Sequence, residues 1–121
     1  MRITREGTTI MLALVLVLVS AVAPPDVMAG FYGNTLVNVD GGIESHFYYK
    51  PDHSFTGTVP QYHFDLKGSW RENPDGSICR VFEPPVPRIK NPDCGPMQVH
   101  TVGDKNVDPN GDSQTLVEGI Q

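Results

Sequence analysis

"QYHFDLKGSWRENPDGSICRVFE", residues 61–83, decides the fold. Tyr62, Phe64 and Leu66 alternate with His63, Asp65 and Lys67, so residues 61–67 read as a half-buried strand. "GSWRE" and "SICRVFE" then form two arms around Asn73-Pro74-Asp75-Gly76, with proline early and glycine late as a tight turn prefers. Upstream, "SHFYYK" ends at Pro51-Asp52 and "SFTGTV" stops at Pro60. These segments give consecutive antiparallel strands over 45–50, 54–59 and 61–67. Further out, "NTLVNV" runs into Asp40-Gly41-Gly42, and Asp108-Pro109-Asn110-Gly111 joins "HTVGDKNV" to "SQTLVEGI". No segment after the N-terminal stretch has the 3.6-residue period of an amphipathic helix. The expected fold is all-β, an antiparallel meander forming a small barrel or a curled sheet. Its expected core is Leu36, Phe47, Phe55, Tyr62, Phe64, Leu66, Trp70, Ile78 and Phe82.

The N-terminal stretch has a different character. Arg2 and Arg5 precede an unbroken apolar run, Ile10–Val19, which Ala21–Ala23 extend. That is the pattern of a secretory signal peptide, and the run is too short for a membrane span of about 20 apolar residues. "AVA" ends at Ala23 but is followed by Pro24, a poor residue after a cut. "VMA" places Val27 and Ala29 at the small-residue positions. Residues 1–29 are therefore expected to be a leader and residues 30–121 one small domain. No cysteine precedes Cys79, so a lipid-anchored N-terminus is excluded. The expected location is the periplasm or the outside of the cell.

The formal net charge is −5, and Arg2, Arg5, Glu6 and Asp26 cancel within the leader. The remaining basic residues are scattered. Nucleic-acid binding needs clustered Lys and Arg, so it is excluded as a function class. The two cysteines, Cys79 and Cys94, are expected to form one structural disulfide in an exported chain. Their spacing fits neither C-x-x-C redox chemistry nor a zinc site. The bridge would close a proline-rich loop, 84–92, whose prolines lack ladder N–H groups.

"FYYKPDHSFTG", "KGSW" and "DGSICRVFEPP" followed by a second cysteine resemble the small exported lipocalin-like β proteins of bacteria, several of them families of unknown function. The resemblance covers residues 43–95. It implies the all-β fold and a periplasmic address, and no catalytic residues. It departs from true lipocalins in one respect: their G-x-W opens the barrel, whereas Gly68-Ser69-Trp70 sits mid-chain. The chain is also short for an eight-stranded barrel with a roomy cavity.

Chemistry-bearing residues are few. By strand alternation His46 shares a face with Tyr48 and Lys50, and His63 with Asp65. If the faces coincide, His46, His63 and Asp65 could hold a metal or act as acid and base. The competing reading is a set of polar residues on a solvated sheet face. No serine lies in G-x-S-x-G and no glycine-rich nucleotide loop is present, so no cofactor is expected. "DKNVDPNGDS" alternates acidic and amide residues as a calcium loop does, but lacks glycine at its sixth position and glutamate at its twelfth. Tyr48 and Tyr49 are neighbours and cannot both face the core of a one-sided sheet. Tyr48, Trp70, His46 and His63 are the candidate ligand-binding residues. The leading expectation is an exported cell-envelope binding or interaction module without catalytic activity, for a small amphiphilic ligand or another exported protein. The alternative is a small metal-assisted enzyme using the His/Asp cluster.

Overall fold

A computed structural model describes residues 26–121; most of the expected leader lies outside the described residues. The described chain is all-β, as its period-2 patterning predicts. Its strands are β1 (Thr35–Asp40), β2 (Ile43–Tyr49), β3 (Ser54–Val59), β4 (Phe64–Glu72), β5 (Ile78–Phe82), β6 (Asp93–Gly95), β7 (Lys105–Val107) and β8 (Ser113–Val117). They form one antiparallel sheet of order β6-β5-β4-β3-β2-β1-β8-β7, curled into a half-barrel. The first six strands are a meander. The chain then crosses to the far side, where β8 pairs with β1. Two single 3-10 turns, Ala29–Phe31 and Pro60–Tyr62, are the helical elements among the described residues.

The register shows how the sheet curls. Two cross-strand rows on the inner face each set one glycine between large apolar side chains. One runs Leu36, Phe47, Gly57, Leu66, and the other Tyr49, Phe55, Gly68, Phe82. A Cβ on Gly68 would lie 1.8 Å from the Val81 carbonyl oxygen, and one on Gly57 would lie 2.7 Å from that of His46. Both positions need hydrogen in place of a side chain because the neighbouring backbone bends over them. Glycine in a strand permits such a bend, and the rings beside it fill the vacated space. Phe55 and Phe82 meet edge to face over Gly68, with ring centroids 5.3 Å apart.

The buried face is closed from two directions. Met28 and Phe31 come from the N-terminal side, and Val99 from the connection between β6 and β7; all three are at most 1% exposed. Met28 lies on the leader side of the expected cut after Ala29, so that boundary falls within packed structure. Its backbone N–H donates to the Asp26 carboxylate, and the Tyr32 hydroxyl donates to the same group.

Two expected core residues are not core. Tyr62 is 58% exposed and Phe64 44%. The alternation assumed from residue 61 does not begin there: Pro60 starts a 3-10 turn and His63 is left-handed at φ 51°. Tyr62 is therefore off the strand. Phe64 keeps the inward parity of Leu66 and pairs with Val59 of β3, but β5 stops at Phe82 opposite Gly68, so no strand flanks it on its other side. Residues 64–67 and 68–72 are one continuous strand instead of two. The remaining seven expected core residues are buried.

The disulfide joins Cys79 to Cys94, which sit directly opposite each other on β5 and β6. The proline-rich loop between them is not without order. The Asn91 side chain accepts from the Phe82 N–H and donates to the Phe82 carbonyl, supplying both bonds that a neighbouring strand would make.

Gly68→Ala tests this curvature. The added methyl has backbone on one side and the Phe55 ring on the other, so β4 and β5 must part. The variant is expected to lose at least about 3 kcal/mol in chemical denaturation, at the upper end of overpacking costs. A loss near that of an exposed surface substitution would contradict the close approach.

Candidate functional site

The sequence-derived candidates are dispersed. Trp70 is 4% exposed, and its indole N–H donates to the Lys50 carbonyl at 3.0 Å. Tyr49 meets it edge to face, and the exposed His53 ring stacks on it at 4.1 Å between centroids. Trp70 is thus a satisfied core residue with its outer rim capped by an imidazole. Of the adjacent tyrosines, Tyr49 is buried and Tyr48 points to the other face, as alternation requires. The Tyr48 hydroxyl donates to the Gln121 carbonyl oxygen, which lies across that face.

His46, Thr58 and Asp65 form one cross-strand row, so His46 and Asp65 do share a face. Thr58 stands between them, and His46 instead pairs with Glu44 at 2.6 Å. His63 is the left-handed residue before β4 and is not part of the row. Among the described residues, no group of three or more His, Cys, Asp or Glu side chains is placed to hold a metal ion. The expected His46–His63–Asp65 constellation is therefore not assembled; the turn at Pro60–Tyr62 takes His63 out of it. The calcium-like run is committed to turns. Asp104 accepts the N–H groups of His100 and Thr101, which hold its carboxyl below the usual range. Asp108 accepts those of Asn110 and Asp112.

Of the clefts among the described residues, two lie on different parts of the sheet, and a smaller one of 190 Å³ shares Arg80 and Gln114 with the second of them. The first has a volume of 590 Å³ and lies where β4 loses its neighbour. Phe64, Leu66, Pro85 and Val86 give it an apolar wall, with Lys67 and Asp65 also lining it. Glu83 donates its N–H to the Lys67 carbonyl, the last bond between the two strands before Pro84 and Pro85 turn the chain away. The sequence carried a signal for this opening: prolines directly after an apolar strand mark where pairing stops.

The second cleft, of 320 Å³, is polar and is lined by Asn38, Arg80, Gln98, Asn106 and Gln114, with Asp40, Asp108 and Asp112 also bordering it. Arg80 was not singled out by its sequence context, because arginine in a strand reads as a solvent-facing residue. Yet its side chain is only 17% exposed. The guanidinium carbon lies 4.3 Å above the Phe47 ring. Nη2 donates to Asp93 at 2.7 Å, and Nη1 donates to the Tyr49 hydroxyl at 3.4 Å. Burial opposes the charge on Arg80, but Tyr49 and Asp93 outweigh it and hold the pKa above the usual value. Burial pushes the Tyr49 phenol up, with Arg80 acting against that rise.

Comparison with known proteins finds no matching family model, no matching curated protein and no matching solved structure.

Asp40 supplies a pH test of the polar cleft. Burial, then the charge and hydrogen bond of Asp112 beside it, raise its pKa above the ordinary aspartate value. The folded chain therefore holds this proton more tightly than the unfolded chain. Its contribution to stability falls as pH rises from the ordinary pKa through the folded one. Asp40→Asn carries no such charge. Relative to the parent, it is expected to gain stability above the ordinary aspartate range and not below it, in denaturation midpoints taken at acidic and neutral pH. The same pH dependence in both proteins would contradict the account.

Proposed function

We propose that this chain is a non-catalytic binding module of the cell envelope, exported to the periplasm or beyond, whose apolar cleft takes a small amphiphilic ligand. The observation that carries the reading is the 590 Å³ cleft at the open end of β4. Its volume falls within the range of about 300–1,000 Å³ typical of small-molecule sites, which are mostly apolar with a few polar groups. Phe64 leaves 44% of its surface in water, and covering an exposed aromatic is favourable by area alone. The Lys67 ammonium and Asp65 carboxylate on the lining offer charges of both signs to a polar head.

Export is supported by the charged start and apolar run of residues 1–23 and by the Cys79–Cys94 bridge, since disulfides persist in oxidising compartments. No helix among the described residues is long and apolar enough to cross a membrane. We place the chain beside the small exported lipocalin-like proteins on the strength of the motif resemblance over residues 43–95 and the antiparallel order of its strands. A central barrel cavity is not part of this proposal. The inner face is filled by aromatic side chains, and Trp70 is packed among them.

The test is a titration of the uniformly nitrogen-15-labelled protein with single-chain amphiphiles bearing anionic, cationic and uncharged heads, followed by amide chemical shifts. Saturable shifts are expected at Phe64, Leu66 and Val86. Phe64→Ser should weaken binding at least about tenfold, in line with the burial of an aromatic side chain, with little change in stability. Absence of saturable shifts at these residues for every amphiphile would sink the proposal.

A further inference from the structure

The polar cleft is independent of the apolar one, and its chemistry is more specific. Asn38 Oδ1 is buried and has no hydrogen-bond partner. Such an orphan acceptor is destabilising unless something donates to it. Arg80 presents the complementary shortage. A guanidinium has five N–H groups in a fixed plane; Asp93 and Tyr49 accept from it, and its other N–H groups have no protein acceptor among the described residues. Both side chains line the same 320 Å³ cleft. Both residues border one space, and the Asn38 oxygen is itself shielded from water, so a ligand donor meets it when the amide turns about its terminal bond.

The charges around that space select the ligand. An anion is disfavoured: Asp93 already compensates Arg80, and Asp40, Asp108 and Asp112 border the cleft. A metal ion is disfavoured as well. Arg80 is a cation with only donors to offer, Asp108 accepts two backbone N–H groups, Asp112 accepts that of Gly41, and no group of three or more His, Cys, Asp or Glu among the described residues is placed to hold a metal ion. What fits is a neutral molecule whose polar groups both donate and accept. Hydroxyls do this, and adjacent hydroxyls do it at the spacing of a planar amide or guanidinium. The amides of Gln98, Asn106 and Gln114 add bivalent partners on the walls. We infer that the cleft between Arg80 and Asn38 binds a neutral polyhydroxylated ligand of the saccharide class. One hydroxyl donates to Asn38 Oδ1 and an adjacent one accepts from Arg80. The cleft volume lies at the small end of ligand sites, which limits the bound part to about one sugar ring.

The experiment uses the full chain, nitrogen-15-labelled, titrated separately with a panel of neutral monosaccharides, with inorganic phosphate and with calcium ion. The expected result is saturable shifts at the side-chain amides of Asn38, Gln98 and Asn106 and at Arg80 Nε–H with at least one monosaccharide. Two variants accompany it. Asn38→Leu removes the orphan acceptor, and Asn106→Ala, on the short edge strand, leaves the core untouched. Each should weaken the saccharide about tenfold, the effect of one specific hydrogen bond. No saturable shift with any monosaccharide overturns the inference. So do shifts that neither variant weakens, or tighter binding of phosphate or calcium at the same residues. Because the readout is at Asn38 and Arg80, its failure is separate from that of the amphiphile titration at Phe64.

Discussion

The close approach of backbone to backbone at Gly57 and Gly68 is the constraint on which the rest of the structure depends. At Gly68 a side chain would collide with the Val81 carbonyl, and at Gly57 with that of His46. With hydrogen at both positions the middle of the sheet bends, and its inner face closes on itself. Large rings from the neighbouring strands, Phe47, Phe55 and Phe82, then occupy the space above the glycines. Curvature and core are one arrangement: the glycines permit the bend, and the rings stabilise it by leaving water. Small barrels and half-barrels in general curl at such glycine positions.

The same curvature decides where ligands can go. A sheet that closes on a packed aromatic core leaves no room in the middle, so both clefts lie where the packing ends. One opens where Pro84 stops β5 from following β4. The other opens where Arg80 replaces a ring in the inner-face pattern. Arg80 lies over Phe47 and is paired with Asp93, which makes its burial tolerable. A buried ion pair is a poor device for stability, since its desolvation offsets much of the attraction. Its presence on an otherwise aromatic face is better understood as chemistry kept at the edge of the core.

Much of this fold was legible from period-2 patterning and turn residues. The strand over 54–59 has the bounds its alternation implies, and the turns at Asp40-Gly41-Gly42, Asn73–Gly76 and Asp108–Gly111 fall between paired strands. Patterning failed at residues 60–63, where Pro60 begins a 3-10 turn and shifts the start of β4, leaving Tyr62 off the strand, and at Phe64, where the early end of β5 leaves an inward-facing ring uncovered. It also missed Met28, Phe31 and Val99, which cover the sheet from irregular segments and carry no periodic signal. The candidate sites were less legible still. Strand faces could be read, but the interval of Thr58 between His46 and Asp65 depends on register, which a sequence alone leaves open. Arg80 stands out because of where it is buried, and residue type alone points the other way.

The direct measurement of the central claim is the proton NMR environment of Gly68. The account places the Phe55 ring against the space a Gly68 side chain would fill, with Phe82 on the partnering strand. It predicts strong nuclear Overhauser effects between the Gly68 α-protons and the Phe55 ring, and an α-proton resonance displaced by that ring. A Gly68 α-proton at its ordinary strand position, with no contact to Phe55, would contradict the account.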